Sequence, residues 1–126
     1  MVESFDPDVK GSMMGLIFWI DENTFATNLV ERALKGQGVD FYTVKDAKDF
    51  SYLIEDLKPQ IVVIDSQTAL KDIEVFKKQF EQTQSFFNAK IVVIEGNAEL
   101  SFLGDQVKVL QRPFDPFKLK EFFSQI

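Results

Sequence analysis

The chain has no cysteine and no histidine. Without histidine there is no Ser-His-Asp triad, no Cys-His pair, no phosphohistidine carrier and no zinc set that uses imidazole, so most familiar catalysis is excluded before any motif is read. Without cysteine there is no disulfide framework, which fits a reducing compartment and makes a cytoplasmic location the expectation. Long apolar runs are missing too. None approaches the roughly 20 residues that span a bilayer. The N-terminus, MVESFDPDVK, is acidic and polar where a signal peptide is basic and then apolar, so neither export nor membrane insertion is expected. Basic residues are outnumbered, 14 against 20 acidic, for a formal net charge of −6, and they form no stripe interleaved with aromatics. Such a surface repels phosphate backbones, and nucleic acid is not an expected partner.

What is present suits one domain: 126 residues, 45% hydrophobic and 13% aromatic, enough for a continuous core without metals or disulfides. Met1 to Gly15 has two glycines, a proline and no periodicity. Residues 1–15 therefore read as a flexible lead-in, with Gly11-Ser12 before Met13 reading as a remnant of cloning, and the folded domain is expected over 16–126.

LIFWI at 16–20 is a short continuous apolar run, the pattern of a strand buried on both faces. Asn23 caps an expected helix with Phe25, Leu29, Val30, Ala33 and Leu34 on its apolar stripe, ended by a left-handed turn at Gly36 or Gly38. Phe41 to Val44 is a second strand, after which Asp46 caps a helix with Ala47, Phe50, Leu53, Ile54 and Leu57 inward, stopped by Pro59. IVVI at 61–64 is a third strand, followed by a polar turn, DSQT, and a helix from about Ala69 to Gln84 with Leu70, Ile73, Phe76 and Phe80 inward, and Phe87 at its end. IVVI recurs at 91–94. The next segment, EGNAELSFLGDQ, holds only one or two turns of helix. Val107 to Leu110 is a fifth strand, and Asp115-Pro116 opens a last helix carrying Phe117, Leu119, Phe122 and Phe123. Strict alternation implies an α/β fold with right-handed crossovers and a parallel sheet, whose ligands sit beyond the carboxyl ends of the strands. Asp21, Glu22, Asp65, Glu95 and Arg112 all fall at those ends.

This constellation resembles the receiver domains of bacterial two-component response regulators, the CheY-like family, from Leu16 to Ile126. The resemblance implies a flavodoxin-like, doubly wound, five-stranded sheet with helices on both faces, the fourth helix being short or missing here. It implies an acidic pair, Asp21-Glu22, that holds magnesium together with Asp65, the phosphoacceptor equivalent. The family's lysine before a proline and an aromatic falls on Arg112, followed by Pro113 and Phe114. Its Thr or Ser after the fourth strand falls on Glu95, and its switch aromatic falls on Val109. With the relay positions Glu95, Val109, Arg112 and Pro113 altered, the chain resembles an atypical or pseudo-receiver.

Charge explains why these changes act together. At an effective dielectric of about 20, unit charges roughly 5 Å apart interact by about 3 kcal/mol. Glu95 therefore repels an incoming phosphoryl group, and a Glu95–Arg112 ion pair is the expectation, leaving Asp65 without a phosphoryl clamp; the alternative is Glu95 as an extra metal ligand or turned to solvent, with magnesium binding and slow phosphorylation retained. The leading reading is a non-enzymatic, phosphorylation-independent protein–protein interaction module that needs no cofactor. Its expected partner is a signalling protein, and a monomer is expected because the shortened fourth helix spoils the usual dimer face. The alternative is a working phosphorelay receiver that takes a phosphoryl group from a histidine kinase onto Asp65 with Mg2+ bound. A haloacid-dehalogenase-like hydrolase is the third reading, and it lacks the second aspartate two residues after Asp65, where Gln67 stands. A nucleotide-binding turn is ruled out by Asp21-Glu22-Asn23 where glycines are needed. Most of the fourteen phenylalanines read as core. Phe86, Phe87 and Phe102 are harder to bury by pattern, and a contiguous exposed cluster there, if present, would mark a protein contact.

Overall fold

Three runs of β-branched and aromatic residues form the middle of a five-stranded, all-parallel sheet, seen in a computed structural model that describes residues 15–48, 50–83, 86 and 88–126. The strands are β1 (Leu16–Ile20), β2 (Asp40–Val44), β3 (Ile61–Asp65), β4 (Lys90–Ile94) and β5 (Lys108–Leu110), in the order β2-β1-β3-β4-β5. Their register aligns Phe18 with Val62 and Val62 with Ile91, so the carboxyl ends of β1, β3 and β4 finish side by side. The order reverses between β1 and β3, which makes a crevice at those ends.

Helices α1 (Thr24–Lys35) and α5 (Leu119–Ser124) cover one face of the sheet. Helices α2 (Ser51–Leu57), α3 (Ser66–Lys71) and α4 (Ile73–Gln82) cover the other. Alternate strand residues feed the two cores: Ile17, Trp19, Ile61, Val63, Val92 and Ile94 on the first face, and Phe18, Ile20, Val62, Ile64, Ile91 and Val93 on the second. That two-sided burial explains the unbroken apolar runs. The connection from β4 to β5 is a 3-10 helix, Ala98–Leu103, in place of an α-helix, as the shortened sequence implied.

Several local expectations are corrected. Phe25 and Phe117 lie on the predicted apolar stripes but are 75% and 72% exposed, and Leu29 is also exposed. The helix expected from Ala69 starts three residues earlier, because Asp65 caps it, and it breaks at Asp72. Asp46 accepts from the amide of Lys48 in a turn and does not open a helix. Helix α2 starts at Ser51, where Gln79 Oε1 of α4 accepts from the amides of Phe50 and Ser51 at 2.8 and 3.1 Å. The left-handed residue after α1 is Gly38, at φ +79°. Phe86 is buried among Phe50 and Phe80, and Phe102 packs on Phe76 and Phe80, so these two do not form an exposed cluster. Phe87 and most of the lead-in, residues 1–14, lie outside the described residues. Among the described residues no helix is long and apolar enough to cross a membrane.

Candidate functional site

Asp21 follows β1 directly and Asp65 ends β3, so the pairing of these strands brings two carboxylates to one crevice. Both are buried, at 2% and 4% exposure. A buried carboxylate must be satisfied by donors, and both are. Asp65 Oδ2 accepts from the Thr68 hydroxyl at 2.7 Å and from the Thr68 amide at 3.0 Å, so Asp65 is also the N-cap of α3. Asp21 Oδ1 accepts from the amide of Asn23 at 3.0 Å, and its Oδ2 accepts from the Trp19 indole at 3.3 Å.

Arg112 closes the pocket. It follows β5, and its peptide bond to Pro113 is cis. Nη1 donates to Asp65 Oδ1 at 2.9 Å and Nη2 donates to Asp21 Oδ2 at 3.2 Å, so one guanidinium bridges the two aspartates. Glu95 stands farther off, with Oε1 3.6 Å from Nη1. The expected Glu95–Arg112 pair is therefore present, but as the longest of three contacts, and the guanidinium lies closer to Asp65 and Asp21 than to Glu95. A planar fork with fixed donor directions can serve two carboxylates at once, which a single ammonium cannot do in the same geometry.

Glu95 sits in the left-handed region at φ +57°, unusual for a residue with a side chain. Its amide donates to Leu110 O at 2.9 Å, which ties this strained position to β5. Glu22 does not join the pocket. It points outward to an ion pair with Lys71 of α3, while its amide donates to the Thr68 hydroxyl at 3.0 Å. Val109 is half exposed on β5, and Phe114 packs on Trp19.

The electrostatics follow from this packing. Burial pushes the Asp21 carboxyl above its usual 3.8, and the charge of Asp65 adds to that, against the opposing effects of the Asn23 amide, the Trp19 indole and Arg112. Burial disfavours the charge on Arg112, but the hydrogen bond to Asp65 and the charges of Asp65, Asp21 and Glu95 prevail, and its pKa is raised. Lys71 is raised by its bond to Glu22.

The carboxylates of Asp21 and Asp65 are the right donor type for a hard divalent cation such as magnesium. The arrangement nevertheless does not fit one, because the guanidinium holds an oxygen of each aspartate. Among the described residues no three acidic side chains are grouped to hold a metal ion. Both lone pairs of Asp65 Oδ2 are engaged by Thr68, and Oδ1 faces Arg112. Attack by Asp65 on phosphorus therefore requires Arg112 to move.

Sequence reasoning located Asp21, Asp65, Glu95 and Arg112 but missed Thr68, Trp19 as a donor, and Lys71. Thr68 carries a signal, since an aspartate with a threonine three residues later is an N-cap pattern as well as a polar turn. Trp19 and Lys71 carried none, since both contacts depend on tertiary placement.

Solved structures share this fold. The receiver domain of a sensor histidine kinase from Pseudomonas aeruginosa, with magnesium in its active-site cleft, superposes with a TM-score of 0.69 at 16% identity, covering 87% of this chain and 94% of that one. A CheY-like receiver domain from Methanospirillum hungatei gives 0.67 at 18% identity, covering 87% and 90%. A response-regulator receiver domain from Bacillus halodurans gives 0.67 at 11% identity, covering 87% and 94%. No family model and no curated protein matches the chain. At these identities the likeness establishes the fold, which is that of the receiver domains.

Proposed function

From a receiver fold whose acidic pocket already holds a guanidinium, we propose that this chain is a pseudo-receiver. It is a signalling interaction module that docks on a protein partner without a phosphoryl switch. The observation that carries this is the Arg112 bridge between Asp65 and Asp21. Phosphoryl transfer to a carboxylate needs a metal to gather the negative charge and a cation aimed at the phosphoryl oxygens. Here the cation is spent on the two carboxylates themselves. Glu95 adds a further negative charge at the mouth, where an incoming dianion has to approach. The connection after β4 is a six-residue 3-10 helix, with no α-helix between β4 and β5. Neither hydrolysis nor group transfer has a free nucleophile in this pocket, so the proposed role is binding.

The competing reading is a phospho-receiver charged on Asp65 by a histidine kinase. It is favoured by one fact, the retention of both aspartates at the correct strand ends. Incubation with acetyl phosphate and magnesium, read by intact mass, separates the two. The pseudo-receiver acquires no phosphoryl adduct, and an adduct lost in Asp65→Asn overturns the proposal.

A further inference from the structure

Helix α1 buries Val30, Ala33 and Leu34 against the sheet, while its outer side carries Phe25, Leu29 and Arg32, all exposed. At spacings of four and three residues these side chains form one stripe along the helix. Just past the end of α1, Gln37 Nε2 donates to the carbonyl of Phe117 at 3.5 Å, which brings a second exposed aromatic residue beside the last turn. Among the described residues neither Phe25 nor Phe117 contacts another ring, and Arg32 has no acid or ring partner.

An aromatic residue thus stands at each end of one helix face, with an unpartnered guanidinium between them. Two copies of α1 packed antiparallel about a two-fold axis set Phe25 of each copy against Arg32 and Phe117 of the other. Every contact is then made twice, as an isologous interface requires. A guanidinium on a ring and a ring on a ring are both attractive. A parallel arrangement sets Arg32 on Arg32 and gains neither. The face is therefore complementary to itself in one orientation.

We infer that the chain forms a weak symmetric dimer through α1, the first turn of one copy packing on the last turn of the other. The dimer uses none of the acidic-pocket residues and stands whether or not Asp65 is phosphorylated. The short β4–β5 connection packs on the opposite sheet face through Leu100 and Leu103, so its shortness leaves the α1 surface unaltered. One face of a twelve-residue helix with one added ring is smaller than the roughly 800 Å² per partner of a standard interface, and a dissociation constant on the order of 100 μM is expected.

Sedimentation equilibrium of the full chain, from about tenfold below to about tenfold above that concentration, tests the dimer. Arg32→Gln should weaken association about tenfold, since two exposed cation–π contacts are lost. Phe25→Ala should weaken it further, and Phe117→Ala should weaken it as well. Tyr52→Ala removes a comparably exposed aromatic from α2 and should change nothing. All four side chains are at the surface, so each variant should keep the dispersed amide spectrum of the parent. A chain that stays monomeric across the range overturns the inference and leaves the α1 face to a different protein. A dimer indifferent to Phe25→Ala or to Arg32→Gln, or weakened equally by Tyr52→Ala, overturns it too.

Discussion

Arg112 Nη1 lies 2.9 Å from Asp65 Oδ1, an ion pair between a residue beyond β5 and the buried carboxylate that ends β3. With the second arm on Asp21, one guanidinium is shared by two buried carboxylates and ties three strand ends together.

Replacing Arg112 with alanine should therefore have two effects. It leaves buried carboxylates without their counterion, a change that costs 3–5 kcal/mol when the pair is fully buried. With the Arg112 side chain 32% exposed, about 2 kcal/mol is expected. It also frees oxygens for a metal, so magnesium should raise the melting temperature of Arg112→Ala and leave the parent unchanged. Thermal melts with and without magnesium chloride check both. Identical responses from parent and variant would count against the bridge.

Thr68 is expected to matter as much as a conventional core polar group, since its hydroxyl donates to Asp65 and accepts from the Glu22 amide. Thr68→Val should cost about 2 kcal/mol in urea unfolding, because the buried Asp65 carboxylate and the part-buried Glu22 amide each lose a hydrogen bond, while Thr68→Ser should cost much less.

The pH dependence has a defined sign. The folded pKa of Asp21 is raised above its usual 3.8, so between those values the folded state binds more protons than the unfolded state. The contribution of Asp21 to stability is fully present below the usual value and is lost as pH rises through the raised one. Asp21→Asn lacks this dependence. The stability of the variant minus that of the parent should thus grow as pH rises through the window and level off above it. A pH-independent difference in stepwise urea titrations would show that folding does not raise the Asp21 pKa.

Glu95 and Arg112 share the same pocket at 3.6 Å, close enough for their substitutions to couple. The double change Glu95→Thr with Arg112→Lys should accept phosphoryl from acetyl phosphate to a greater extent than the sum of the single changes. Strictly additive labelling would exclude coupling through this contact.

The parts of the molecule that were legible in the sequence are those dictated by local pattern. LIFWI and the two IVVI runs announced buried parallel strands because both faces are covered, and Asn23 announced α1 because its side chain caps the Ala26 amide. The start of α2 was illegible because its cap, Gln79, comes from α4. Phe25 and Phe117 show that a 3.6-residue period identifies an apolar stripe but not how far the sheet extends beneath it. Asp21, Asp65, Glu95 and Arg112 could be assigned to one crevice from the strand ends alone, whereas Glu22, assigned with them, turns outward to Lys71. Which acid takes the arginine could not, since that depends on distances of about an ångström among Asp21, Asp65 and Glu95.

The most direct test of the arginine-filled pocket is an amide NMR titration with magnesium and then beryllofluoride, comparing the parent chain with Asp65→Asn. The account predicts no saturable shifts at residues 21, 22, 65 and 95 at millimolar magnesium, with the fold intact in both proteins. Saturable shifts at those positions that vanish in Asp65→Asn would contradict it and establish a working phosphoryl site.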